Sequence, residues 1–378
     1  MKNLFSLFDL LILIGIIQGI ITSVLLFNSK KNVKSNKFLA LALLSFCFLS
    51  SKTLLHTLHL WDTTIFRFFP NGIELALPPL IYFYVKSLVN PKFDFKAKDS
   101  LHFIPFFISQ TYAFIVYFAV LKTNILVEKD TIAKGFKFDD IKNLEEYLLL
   151  ISLGIYLFYG YKEIKNYKTW LNNTTSDNTF PDFGWLKNIF RIFIIVAVFL
   201  LVNHSLDIFF DLKSKTILHW DLLILFITIL IYYLGLKGYL QPNYTFSKNE
   251  IVIQKNKSSN VPNSLLIETV EKLEKAMKED KLFLNPKLTI YELSNVLNTS
   301  QKTLSQTINQ HFNISFRDFI NKYRLEEVKT KLKDPNYSNM SILGIALDCG
   351  FNSEASFYRI FKKNTGISPK EFIKKNTT

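Results

Sequence analysis

The chain has 378 residues, of which 49% are hydrophobic and 15% aromatic, with 37 Phe and a mean hydropathy of +0.18. That is too apolar for an ordinary soluble protein of this length and excludes a purely cytosolic one. The net charge of +14 is unevenly dense: residues 1–242 carry 24 basic and 17 acidic side chains, and the much shorter stretch 243–378 carries 21 and 14. Cys47 and Cys349 lie far apart in unlike surroundings, so neither a disulfide framework nor a thiolate metal site is expected, and no metal or cofactor.

A bilayer core about 30 Å thick needs about 20 mostly apolar residues in helical form. Seven such segments are expected, at 7–27, 38–58, 72–89, 101–121, 144–161, 189–210 and 220–240. The first, fourth and last are nearly free of charge, more apolar on all faces than a soluble core helix. The first has only Lys2 upstream and no small-residue cleavage site before the lysines that follow, so it is read as a retained helix and not a secretory signal. Lys30, Lys31, Lys34 and Lys37 follow it, which places that loop in the cytoplasm and the N-terminus outside. Seven spans across a bacterial inner membrane then leave the C-terminus in the cytoplasm. Short loops on the proposed inner side hold 11 Lys and Arg against 8 outside, and the outer loop 122–143 holds five of those eight.

Polar groups within spans are costly in hydrocarbon and mark candidate sites. Lys52 and His56 are one helical turn apart, Asn203 and Asp207 share another face with His204 beside them, and Glu74 sits near a span start. A ligand or ion site between helices is one reading of these six; snorkelling to the interface or interhelical hydrogen bonding is the other. Lys237 lies one turn from a span end and not at mid-membrane, which argues against a retinal-type Schiff base. Pro78, Pro79 and Pro105 are expected to kink or end helical turns. The zinc-protease, aspartyl-pair, nucleophile-elbow and phosphate-loop motifs are absent from the sequence, so no enzyme activity is expected. An intramembrane enzyme using Glu74, His204 or Asp207 is the weakest reading.

After Leu240 the composition turns polar, and residues 241–263, with Pro242 and Pro262, read as a linker containing a short apolar stretch at Ile251–Ile253. From Ser264, Leu266, Val270, Leu273 and Met277 recur at helical steps, giving an amphipathic helix ending near Lys281. Thr289 with Glu292, Ser315 with Asp318, and Ser368 with Glu371, where Pro369 takes the first helical position after Ser368, are helix start signals. Leu325, Val328 and Leu332 mark the inner face of a longer helix, about Phe316 to Lys333. No strands are expected here.

One pattern occurs twice, over 290–313 and 342–366. In each copy a short helix carrying a Leu293/Ser294 or Ile345/Ala346 pair meets a turn residue tolerant of positive φ, Asn298 or Gly350. Inward apolar residues four apart follow, Leu304 and Ile308 or Phe357 and Phe361, and each copy closes on a second such residue, Asn313 or Gly366. This is helix-turn-helix geometry, with the small Ser294 or Ala346 allowing close crossing.

Residues 283–375 resemble the DNA-binding domain of AraC/XylS transcriptional regulators, most specifically in Gly350-Phe351, in Phe357, Phe361, Lys362 and Lys363, and in the Thr365–Pro369 run. The first copy departs from the family in having Asn298 and Asn313 where Gly is usual. The resemblance implies two helix-turn-helix units joined by a long helix, each laying its second helix into the major groove. By position it assigns base contacts to Lys302, Ser305, Gln306, Glu354, Ala355, Tyr358 and Arg359, and phosphate contacts to Lys322, Asn352, Ser353, Lys362 and Lys363. Lys and Arg suit guanine, Gln suits adenine and Glu accepts from cytosine; exposed helix polarity and a solvated basic face are the plain alternatives. The expected architecture is all-α: a seven-helix transmembrane sensor over 1–240, a linker over 241–263 and an AraC-type double helix-turn-helix domain over 264–378. Its expected partners are double-stranded DNA, the lipid bilayer and an unidentified signal, with RNA polymerase and a second copy of the chain as further candidates. The rival is a receptor or transporter whose C-terminal helical module binds protein instead of DNA.

Overall fold

The computed structural model describes residues 6–90, 92–177, 183–212, 215–216, 218–241 and 263–376, and among them finds fifteen α-helices and no strand. The chain divides into two units, one of Met1–Ile164 and Phe183–Tyr244, the other of Lys165–Asp182 and Thr245–Thr378. The expected linker lies outside the described residues apart from its ends, Gln241 and Asn263.

In the first unit, α1 (Leu7–Asn28) begins at a reciprocal cap in which Ser6 N–H donates to the Asp9 carboxylate at 2.9 Å and Asp9 N–H donates to Ser6 Oγ at 3.1 Å. It packs on α2 (Val33–Thr57) and on α8 (Leu218–Tyr239), and α2 also packs on α3 (Leu77–Val89). The approach is close because Gly15 and Gly19 face it. A Cβ on Gly19 would run into Cys47 Sγ and lie 2.8 Å from Ile231 Cγ2, and one on Gly15 would run into Thr228. Lipid tails are as apolar as side chains, so such small-residue contacts, which bring backbones together, are what association in a bilayer draws on.

Each expected span coincides with a helix, but with different lengths. Among the described residues, five helical stretches are long and apolar enough to cross a membrane: Leu7–Asn28, Val33–Thr57, Ala97–Val120, Gly184–Phe210 and Leu218–Tyr239. The third of these is a 3₁₀ turn, Ala97–Phe103, continued by α4 (Ile104–Val120) with Pro105 in its first turn. Helix α3 has 13 residues, about 20 Å, short of the hydrocarbon thickness. Pro78 and Pro79 fill its first turn, and the preceding residues Glu74–Ala76 form a 3₁₀ turn. Helix α6 (Phe138–Thr174) has 37 residues and outruns the expected 144–161 at both ends, and α7 is Gly184–Phe210. Helix α5 (Leu126–Gly135) falls where only a loop is expected. It packs Ala133 against Val116 and Val120, and the buried Lys129 ammonium donates to Val120 O at 2.6 Å. Its four charges in ten residues conceal that packing face in the sequence.

The second unit is built on two small cores. The first gathers Met277 of α9 (Asn263–Lys278), Leu293 of α10 (Ile290–Val296), Leu304 and Ile308 of α11 (Gln301–His311), and Phe316, Phe319 and Ile320 of α12 (Phe316–Lys333). The second gathers Leu325 and Val328 of α12, Ile345 and Ala346 of α13 (Ile342–Asp348), and Phe357 and Phe361 of α14 (Glu354–Thr365), with Phe372 of α15 (Pro369–Asn376) against it. Thus α12 runs through both, with the bounds the sequence predicts. Helix α9 ends three residues before the expected Lys281, which itself takes φ 46° and turns the chain back. The caps at Thr289, Ser315 and Ser368 form as expected. Asn298, Asn313, Gly350 and Gly366 all have positive φ, at 49°, 54°, 88° and 78°. Ser294 and Ala346 are buried where each helix pair crosses.

Replacing Gly19 by Leu is expected to lower the unfolding free energy of the detergent-solubilised protein by about 2 kcal/mol, whereas Val24→Leu, on an exposed face of the same helix, should change it by less than about 0.5 kcal/mol. Equal effects in thermal unfolding would refute the close α1 packing.

Candidate nucleic-acid interface

Ser300 caps α11 by accepting from Thr303 N–H, and the helix turns Leu304, Thr307 and Ile308 inward. At 3.6 residues per turn this leaves Lys302, Ser305, Gln306 and Asn309 on one outward face, the first three half-buried and Asn309 exposed. In α14 the inward residues are Phe357, Ile360 and Phe361, and Glu354, Ala355, Tyr358, Arg359, Lys362 and Lys363 are all exposed. Lys322 is exposed on α12. Of the seven residues assigned to bases, the four of α14 are therefore exposed, whereas the three of α11 are half-buried and the Oε1 of Gln306 is itself buried. Within α11 and α14 the basic residues are Lys302, Arg359, Lys362 and Lys363 against the one acid Glu354, while Lys322 of α12 has the exposed acids Asp318 and Glu326 one turn to either side. Ser353 caps α14, its Oγ accepting from Ser356 N–H at 3.4 Å. Burial among apolar groups pushes the Cys349 thiol up to about 12, so it is inert at neutral pH.

Beneath this surface lies an ionic centre that sequence reasoning missed. Arg324 of α12 is fully buried. Its Nε donates to Phe283 O at 2.8 Å, and its Nη2 to Asn285 O at 2.7 Å and to Ser176 Oγ at 2.9 Å. Its Nη1 donates to Ser176 O at 3.3 Å. Burial lowers its pKa to about 10, the Asp177 carboxylate opposing that shift and Arg317 adding to it, so the group stays charged at neutral pH. Gly350 makes room for it. A Cβ there would sit 2.6 Å from Phe283 O and 2.9 Å from Arg324 Nε, quite apart from the φ of 88°. A signal was present: Phe316, Ile320, Arg324 and Val328 recur every four residues, and a cation on an otherwise apolar stripe must be paired if it is buried.

Its partner segment is equally unexpected, because the sequence assigns 162–188 to a loop between spans. Thr175, Ser176 and Asp177, directly after α6, are buried in the second unit. Thr175 forms an isolated antiparallel bridge with Thr289, and Ser176 donates to Leu288 O through N–H at 3.0 Å and through Oγ at 2.8 Å. Arg317 donates from Nε to Thr175 O at 3.1 Å and from Nη2 to Asp177 O at 2.8 Å. Burial brings its pKa down to about 10, with Tyr167 and Asp177 opposing and Arg359 reinforcing. Asn352, a predicted phosphate contact, donates from Nδ2 to the Asp177 carboxylate and, at 3.4 Å, to Pro286 O.

The six polar candidates of the first unit are paired within the protein, in separate places. Lys52 lies 3.6 Å from Glu74 and His56 stacks on Trp61 with ring centroids 5.1 Å apart. Asn203 donates to His219 O at 2.9 Å, and Asp207 takes His219 Nε2 and Trp220 Nε1, each at 2.9 Å. His204 turns the other way, its Nε2 2.8 Å from Tyr147 Oη and its Nδ1 3.2 Å from Glu146. The structure therefore does not gather the six into one cluster.

The sequence pattern described as a helix-turn-helix domain matches residues 293–375. An uncharacterized HTH-type transcriptional regulator of Staphylococcus aureus (strain MSSA476) is 35% identical over 92 residues, 24% of this chain and 12% of that protein, and one from strain N315 matches to the same extent. Another, of Haemophilus influenzae, is 33% identical over 85 residues, 22% of this chain and 28% of that protein. The chain thus spans about an eighth of the length of the staphylococcal relatives. No solved structure matches. The C-terminal part of the chain carries an AraC-type helix-turn-helix domain.

Arg324→Leu removes the charge but orphans the buried carbonyls of Phe283, Asn285 and Ser176 that it serves. It should reduce the opening free energy of α10–α15 by about 3 kcal/mol or more, read by hydrogen exchange on the full chain. Wild-type protection in that variant would show that the guanidinium is dispensable.

Proposed function

We propose that this chain is a membrane-bound, sequence-specific DNA-binding transcription regulator that reads double-stranded DNA with α11 and α14 in successive major grooves. The observation that carries this is the doubled arrangement itself: two second helices whose polar faces include Lys302, Arg359, Lys362 and Lys363, held through one shared helix, α12. Successive grooves on one DNA face recur about every 34 Å. Lys302 and Arg359 offer guanine donors, Gln306 a fork for adenine, Glu354 an acceptor for cytosine N4, and Ser305 a hydroxyl suited to more than one base. Ala355 and Tyr358 supply apolar contact beside them. Lys322, Lys362 and Lys363, with Asn352 and Ser353 at the start of α14, grip phosphate and set register.

The five long apolar helices support a multi-pass place in a bacterial inner membrane, with the N-terminus outside and the DNA-binding unit in the cytoplasm. As a one-component sensor it responds to a signal only insofar as that signal binds one arrangement of the spans better than another. RNA polymerase and a second copy of the chain are the partners through which bound DNA would alter transcription.

The test is salt and sequence dependence of DNA binding by the full chain in lipid nanodiscs, using a duplex selected from a random library. If about six phosphates are neutralised, affinity falls about 10³-fold or more between 50 and 200 mM salt. Affinity indifferent to salt would remove the phosphate contacts and favour a protein-binding module. Arg359→Ala should cost about 1–3 kcal/mol on the selected duplex and relax preference at one base pair; uniform weakening over all sequences would reassign it to phosphate.

A further inference from the structure

We infer that Thr175–Asp177 is an internal plug for the phosphate-gripping end of α14, its carboxylate and carbonyls occupying donors that DNA phosphate requires. The inference rests on the DNA-binding reading above.

Three observations carry it. The segment is seated and not merely adjacent: Ser176 is fully buried, bonded through N–H and Oγ to Leu288 O and through O and Oγ to Arg324. Its acceptors then use up donors at the reading surface. An Asn side-chain amide has two N–H groups, and Asn352 directs its Nδ2 to the Asp177 carboxylate and to Pro286 O. Arg317 is committed to Thr175 O and Asp177 O, and Arg359 of the reading face is near enough to Arg317 to act on its charge. The third observation is chemical. Asn352 precedes the first turn of α14, where exposed N–H groups and the helix dipole favour an anion. A carboxylate already held there takes the phosphate's place and repels it.

The segment is also placed in the chain to be pulled. Thr175 follows α6 directly and Asp177 lies a few residues before α7, so each end leads into a helix of the apolar part. A change in those helices that withdraws the three residues would free Asn352 and Arg317 together. Arg324 would meanwhile keep its bonds to Phe283 O and Asn285 O, so release does not strip the buried charge of all its partners.

The experiment uses the full chain in nanodiscs with a duplex selected from a random library by the Asp177→Ala protein. Asp177→Ala and Asp177→Asn should each bind that duplex more tightly than the wild type, by about tenfold for the Ala variant. In the wild type, saturating DNA should speed amide exchange at residues 175–177. If both variants bind no more tightly, or if DNA leaves exchange at those residues unchanged, the plug is overturned while DNA binding stands. If no version selects any duplex, the DNA-binding reading fails, and the plug with it.

Discussion

The second unit is organised around one buried positive charge. Taking a guanidinium out of water costs several kcal/mol unless its donors are met, and the acceptors that meet those of Arg324 come from separate parts of the chain. Phe283 and Asn285 precede the first helix-turn-helix unit, Ser176 lies well over a hundred residues earlier, and Gly350 at the second unit's turn leaves the space. The buried guanidinium on the shared α12 therefore ties the segment before the first copy and Ser176 to that helix, and the second copy's turn is shaped to admit it. Loss of any one of these partners is felt by the others, because an unmet buried donor or acceptor costs more than the bond itself contributes.

Two modest cores are held together by the same helix. Neither copy buries enough apolar side chain to stand as a domain of ordinary size. Phe316, Phe319 and Ile320 of α12 serve one core, and Leu325 and Val328 of the same helix serve the other. The Lys331–Asp348 ion pair further ties α12 to α13. Placement of α11 and α14 then follows from one helix common to both cores.

The first unit is built mainly of long apolar helices. Its helices α1, α2 and α8 meet over Gly15 and Gly19, and its polar side chains find partners inside the protein: Lys52 with Glu74, Asp207 with His219 and Trp220, His204 with Tyr147 and Glu146. Among apolar helices an unmet polar group is costly, so pairing of this kind is the structural minimum. It leaves these residues as fixed interhelical links between α2 and the turn before α3, between α7 and α8, and between α6 and α7.

Short-range rules made much of this protein legible from its residues alone. The apolar runs foretold a helix at each span, and serine and threonine three residues before an acid foretold the caps at Thr289, Ser315 and Ser368. Asn298, Asn313, Gly350 and Gly366 foretold the left-handed turns, and helical spacing gave α12 its bounds and left Glu354, Ala355, Tyr358 and Arg359 exposed on α14. Each of those signals lies within one or two helical turns, where sterics and local hydrogen bonding decide. Folding in space alone decided that α3 stops at 13 residues, that α5 forms under its charges, that Lys52 pairs with Glu74 and not with His56, and that Thr175–Asp177 lies in the DNA-binding unit. The physical reason is that a buried charge announces only that it needs partners. Arg324 stood out on its apolar stripe, but the segment that answers it lies 148 residues away, and no periodicity connects the two.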